Sequence, residues 1–177
     1  MSIVYEKAGL SELDEICALT AAATAHMEKQ GIFQWNEFYP ARDIIEDDIA
    51  NGELTVGRLA GKIAVIYTLN MLCGEEYRAG KWENPDAEAC VLHRLCVHPE
   101  HQQKGLGADA LVNSQRQAID MGCDYIRLDV YEKNPGAVRL YTGAGFVKVG
   151  GIEFRGMHFH LMEKRVAGRG NINGESK

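Results

Sequence analysis

Leu95-Cys96-Val97-His98-Pro99-Glu100-His101-Gln102-Gln103-Lys104-Gly105-Leu106-Gly107 decides how the rest of the chain is read. A strand-like run enters a polar loop punctuated by two glycines, and an amphipathic segment follows at once. That arrangement is a seat for a diphosphate. The first turn of a helix carries four amides without intrahelical partners, and its aligned peptide dipoles place roughly half a positive charge there. Gly105 and Gly107 let an anion approach those amides closely.

Downstream of the loop, Leu111, Ser114, Ala118 and Met121 follow Gly107 at alternating spacings of four and three, the stripe of an amphipathic helix that Gly122 ends. Residues 125–131 alternate cleanly, with Ile126, Leu128 and Val130 on one face of a half-buried strand. Asn134-Pro135 opens a short helix: a capping side chain precedes a proline at the first helical position, where the missing N–H costs little. That helix ends near Gly143. Residues 147–154 and 157–164 form two last strands around Arg155-Gly156.

Upstream, 3–7 reads as a strand, and Ser11 with Asp14 starts a helix that runs toward Gln30 and stops at Gly31. The aromatic segment 32–40 lacks periodicity and is either a plug on the core or a wall of a cleft. A short acidic helix over 43–50 precedes strands 53–59 and 63–72, joined by a turn at Gly61-Lys62. Residues 74–86 are polar and irregular, a surface excursion, before a β-rich run over 89–97. The order β-α-α-β-β-β-α-β-α-β-β is mixed α/β. Hairpins at Gly61 and Arg155 demand antiparallel pairs, whereas the helix between the strands ending at Val97 and Val130 suits a parallel crossover.

The chain has 177 residues, the size of one ordinary domain with a real core. We expect a single domain over 1–164 and a polar, glycine-rich tail over 165–177. With 46% apolar and 25% charged residues it matches a globular protein, and no run approaches the roughly 18 apolar residues of a membrane span. No basic leader precedes an apolar segment, so a cytoplasmic location is the default expectation, without a membrane partner. A net charge of −6 argues against nucleic acid, which needs a basic face, and is compatible with a cationic substrate. Five cysteines, scattered and never in a Cys-x-x-Cys pair, read as reduced thiols and argue against both a disulfide framework and a zinc site.

Gln102-x-x-Gly105-x-Gly107, preceded by the strand through Val97, resembles the acyl-CoA signature of the GNAT superfamily of N-acyltransferases. Asn134-x-x-Ala137-x-x-Leu140-Tyr141-x-x-x-Gly145-Phe146 resembles that superfamily's late segment, in the right order and at the expected separation. The resemblance implies an α+β fold: a mixed, mostly antiparallel twisted sheet with a central parallel strand pair and helices on both faces. It implies acetyl-CoA as cosubstrate, no metal, and a small-molecule or peptide amine as acceptor. The backbone of Leu95, Cys96 and Val97 would pair with the pantetheine arm. Amides of Gln102, Gln103, Lys104, Gly105, Leu106, Gly107 and Ala108 would hold the pyrophosphate. Asn134, Ala137 and Tyr141 would lie on the cofactor's other side, in the opening where two parallel strands splay.

Tyr141 is the expected catalytic residue. A thiolate leaving group has a pKa near 8.5, while a tyrosine hydroxyl titrates near 10 and stays protonated at neutral pH, so it can give a proton to the departing sulfur. An amine with a pKa near 10.4 must lose a proton before attack. His93 stands where several members of the superfamily carry a Glu thought to act as base, and an imidazole suits that task. His93 is equally readable as a structural histidine; Glu88, His158 and His160 are weaker candidates. Trp35, Phe38, Tyr39 and Tyr67 would frame an apolar substrate pocket, or else pack in the core. A homodimer is compatible with the apolar last strand.

Other readings fare less well. Gly105-x-Gly107-x-x-Ala110 matches the dinucleotide fingerprint and Asp129 follows by roughly 20 residues, but a Rossmann turn follows its strand directly near the start of a βαβ unit. No Gly-Lys-Ser/Thr follows, which excludes a Walker loop. A non-catalytic acyl-CoA-binding or regulatory domain and a structural interaction module remain as alternatives from other classes.

Overall fold

The computed structural model describes residues 3–36 and 38–166. Seven strands form one sheet in the order β1-β2-β3-β4-β5-β7-β6. They are β1 Val4–Lys7, β2 Leu54–Leu59, β3 Lys62–Asn70, β4 Ala89–Val97, β5 Tyr125–Tyr131, β6 Val147–Phe154 and β7 Met157–Arg165. The helices are α1 Leu13–Lys29, α2 Arg42–Ala50, α3 Leu106–Asp120 and α4 Pro135–Gly143. Element order and type are those read from the sequence. The first helix starts differently: a single 3-10 turn at Leu10–Glu12 precedes it, and the capping bond is from the Gly9 amide to the Glu12 carboxylate at 2.7 Å.

Every neighbouring pair in the sheet is antiparallel except β4 with β5. That parallel contact is brief: Ala89, Cys90 and Val91 face Tyr125, Ile126 and Arg127, and the strands then separate. A bulge causes the divergence. Between Ile66 and Thr68 on β3, the partner strand β4 runs from Cys96 to His93 and so holds one residue too many, and Arg94 takes up the slack at a left-handed φ of 52°. An extra residue bends its strand and sharpens the local twist, which swings the second half of β4 away from β5.

Two apolar layers cover the sheet. α3 and α4 pack Leu111, Ala118 and Tyr141 against Leu92, Leu128 and Val130. On the other face, α1 and α2 bring Ile16, Leu19 and Ile45 onto Val56, Ile66 and Cys96. The excursion between β3 and β4 is not a free surface loop: Tyr77 is 3% exposed and packs on Val91 and Leu161. β7 extends through Arg165, and Val166 is buried, so regular structure outlasts its expected end at Lys164. The rest of the expected tail, 167–177, lies outside the described residues. β7 also sits inside the sheet between β5 and β6, so β6, not the last strand, forms the edge opposite β1.

The cysteines correct the sequence reading. Cys90, at the start of β4, and Cys123, in the turn before β5, are joined by a disulfide with 5.9 Å between their Cα atoms, while Cys17, Cys73 and Cys96 are free. A separation of 33 residues gives no local sign of such a pairing; the parallel register of β4 and β5 brings the two together.

Candidate active site

The separation of β4 from β5 opens a cleft of about 1020 Å³ that passes through the sheet. One mouth lies at the start of α3. Gly105 caps this helix at φ 83°, a left-handed conformation that costs a residue with a Cβ but not glycine. The first intrahelical bond there is from the Asp109 amide to the Gly105 carbonyl at 3.0 Å, so the amides of Leu106, Gly107 and Ala108 point out of the helix start. Gly107 lets α4 come close, since a Cβ there would stand 3.0 Å from the Leu140 side chain. Gln102 fastens the loop to the strand by donating to the Val97 carbonyl at 3.1 Å. Lys104 folds back, donating to the Glu100 carbonyl at 2.7 Å, and does not line the cleft.

Beyond Val91, the edge of β4 that faces β5 has no strand partner among the described residues, so backbone groups over 92–97 are open along the cleft wall. Across the gap, Asn134 works in two directions. Its Oδ1 accepts from the Ala137 amide at 3.0 Å, capping α4, and its Nδ2 donates to Gln34 at 3.1 Å, tying α4 to the loop after α1. The open strand edge, the exposed amides of α3 and the passage between them are what an acyl-CoA requires: pairing for an amide-bearing arm and donors for a diphosphate.

Tyr141 sits in the middle of the passage, 9% exposed, with its ring edge-on to Phe146. Burial, followed by the nearby Asp129 carboxylate and the Cys96 thiol, holds its hydroxyl well above the ordinary tyrosine range. It stays protonated at any neutral pH.

At the far mouth, His93 lines the wall with Nε2 3.1 Å from Asn70 Oδ1. Burial and the neighbouring Arg94 cation push its pKa down to about 4, so the ring is neutral at pH 7. Arg94 lies against Asp48 of α2 and reaches the Tyr39 hydroxyl at 3.4 Å. Of the expected aromatic pocket, Trp35 and Tyr39 line the cleft. Phe38 is 72% exposed and is not part of the lining. Tyr67 points the other way, into the layer under α3, where its hydroxyl accepts from Asn113 at 2.6 Å. Glu88, His158 and His160 also lie off the lining; on β7 it is the alternate residues Met157 and Phe159 that face the cleft.

Two polar residues here escaped the sequence reading as site residues. Asp129, on the strand face opposite Leu128 and Val130, projects into the cleft. Its accessible surface opens onto cleft space, yet protein surrounds it closely enough that desolvation raises its pKa above the ordinary carboxylate value. Tyr77 donates to its Oδ1 at 2.7 Å. The strict alternation of β5 marked Asp129 as off the core face; nothing in the sequence marked Tyr77.

A family model described as the acetyltransferase (GNAT) family matches residues 23–146. The chain belongs to the GNAT family of acetyltransferases. An acetyltransferase of this family from Streptococcus agalactiae is similar at 26% identity, with a TM-score of 0.80 over 92% of this chain and 95% of that one. The PaiA N-acetyltransferase of Thermoplasma acidophilum, solved in complex with coenzyme A, shares the fold at 17% identity and a TM-score of 0.72, over 93% and 99% of the two chains. The L-amino acid N-acyltransferase MnaT of Escherichia coli is 33% identical over 69 residues, which span 38% of this chain and 40% of that protein.

Proposed function

We propose that this GNAT-family protein transfers an acetyl group from acetyl-CoA to a primary amine by direct attack, with Tyr141 giving a proton to the sulfur of CoA. The observation that carries the reading is the passage through the sheet. It has exposed helix-start amides at one mouth, a protonated hydroxyl at its centre and titratable side chains at the other. Acetyl-CoA supplies an activated thioester when bound, which an amine can attack without covalent help from the protein.

The chain's own residues divide the work. The amides of Leu106, Gly107 and Ala108 neutralise diphosphate charge. The open edge of β4 over 92–97 holds the pantetheine arm, and Asn134 keeps α4 and Tyr141 in register with the loop at Gln34. Trp35 and Tyr39 close the acceptor side. His93 and Asp129 are the groups there able to take a proton from the incoming amine. The resemblance to MnaT makes free α-amino acids the first acceptors to try.

Free-thiol release from acetyl-CoA, followed across amines, amino acids and peptides, tests the reading. Tyr141→Phe should lower kcat by at least about tenfold, and up to the 10²–10⁴-fold typical of a lost acid, while calorimetric affinity for acetyl-CoA holds. Equal turnover by the two proteins would remove Tyr141 from the chemistry. Acetyl-CoA binding without thiol release for any acceptor would favour a binding module instead.

A further inference from the structure

We propose that Asp129 binds the cationic amine of the acceptor and takes its proton, and that Tyr77 is the positioning residue that aims it. This rests on the amine-acetylation reading above. Asp129 lies two residues beyond Arg127, the last residue of β5 paired with β4, so it stands on the free part of the strand where the sheet is open. Tyr77 engages Oδ1, and among the described residues no side chain bonds Oδ2. One oxygen is thereby fixed and the other is left for a ligand. The ligand that suits a partly desolvated carboxylate is a cation with N–H donors.

Tyr77 is secured far more firmly than a residue of an irregular excursion needs to be. Its ring stacks on Trp82 with centroids 5.8 Å apart, and the Trp82 indole N–H donates to the Tyr77 carbonyl at 2.8 Å. The Arg127 guanidinium lies 4.6 Å from the centre of the Trp82 ring and donates to the Asn84 carbonyl at 2.8 Å. Glu163, 3.7 Å from Arg127, accepts from the Glu83 amide at 2.6 Å. The buried ion pair and the aromatic stack thus fix a hydroxyl that points at one carboxylate.

Around Asp129, the excursion contributes Glu76 and Tyr77, β4 contributes His93 and Arg94, and α4 contributes Tyr141. β7 faces it with Leu161 and Phe159, its Glu163 being engaged by Arg127. Arg94 is already paired with Asp48, and the His93 ring is engaged by Asn70. Of the two carboxylates left there, Glu76 and Asp129, only Asp129 is aimed by a hydrogen bond among the described residues, the one from Tyr77.

The proton count closes. The ammonium gives one proton to Asp129, which passes it to solvent. The freed lone pair forms the C–N bond as the C–S bond breaks. Tyr141 protonates the sulfur, and the second proton shed by nitrogen restores the tyrosine. The products are the amide, which keeps one N–H, the free thiol and one released proton.

The test compares wild type, Asp129→Asn and Tyr77→Phe with the best acceptor found for wild type. Asp129→Asn should lower kcat/KM by about 10²-fold or more, as loss of a general base does, with calorimetric affinity for CoA unchanged. The loss should shrink for a hydroxylamine acceptor, which is already largely unprotonated at neutral pH. Tyr77→Phe should raise KM for the amine and move the acidic limb of kcat/KM to higher pH, because the lost hydrogen bond favours the ionised carboxylate. A limb that stays put in Tyr77→Phe, or an Asp129→Asn enzyme that matches wild type, would overturn the proposal and leave the acetyltransferase reading standing. Wild type that releases no thiol with any amine would bring down both.

Discussion

Arg94 and Asp48 meet in a two-pronged ion pair: Nε donates to Oδ2 at 2.8 Å and Nη2 to Oδ1 at 2.7 Å. Their side chains are 11% and 8% exposed, and Thr68 also donates to Asp48 at 2.7 Å. The pair joins α2 to the bulged residue of β4, so it braces the bend from which the cleft arises. Removing one partner strands a buried charge, which costs about 3–5 kcal/mol. Asp48→Asn should therefore shift the urea midpoint downward by that equivalent, and Asp48→Leu combined with Arg94→Met should lose less than the single change. A single variant within about 1 kcal/mol of wild type would contradict the brace.

Gly105 offers a separable test of the proposed diphosphate seat. A Cβ there meets nothing within 4 Å, so Gly105→Ala is penalised only through its backbone, which stands at φ 83°. The left-handed conformation costs a non-glycine residue about 1–2 kcal/mol, equivalent to a fall in Tm of roughly 2–8 °C for a chain of this size. Relaxing the strain re-aims the amides after it. Calorimetry should show weaker CoA binding alongside the lower Tm; a lower Tm with CoA affinity intact would detach this glycine from the seat.

His93 makes a prediction about stability and pH. Its pKa falls from 6.5 to about 4 on folding, burial first and the Arg94 cation second. Between those values the unfolded chain binds a proton that the folded chain refuses. Stability is therefore full above pH 6.5 and declines as pH falls toward 4, by up to about 3 kcal/mol. In His93→Gln, which keeps a side chain able to donate to Asn70, the same pH interval should show a flatter unfolding curve. Parallel curves for the two proteins would mean that His93 is not held neutral.

Much of this could be read in the sequence because local chemistry decides it. Asn134-Pro135 fixes the start of α4, alternation fixes β5, and the two glycines fix the entry to α3. What stayed hidden depends on contacts distant in sequence. Tyr77 and Asp129 are 52 residues apart, and the polar composition of 74–86 gave no sign that one phenol turns inward. Tyr67 shows the opposite limit. A central strand is buried on both faces, so an aromatic residue on it does not disclose whether it faces the cleft or the core. Phe38 is a third case: in a loop without periodicity, nothing local tells an inward aromatic from an outward one.

The proposed reaction is cleavage of a thioester by an amine in the passage between β4 and β5. The most direct measurement is simultaneous quantification of free CoA thiol and N-acetylated product from acetyl-CoA and a panel of amines and amino acids, for wild type and Tyr141→Phe. Wild type should form thiol and acetylated amine in equal amounts, and Tyr141→Phe should form strongly reduced amounts of both. Thiol release independent of any amine, or no acetylated product from any acceptor while acetyl-CoA still binds, would contradict it.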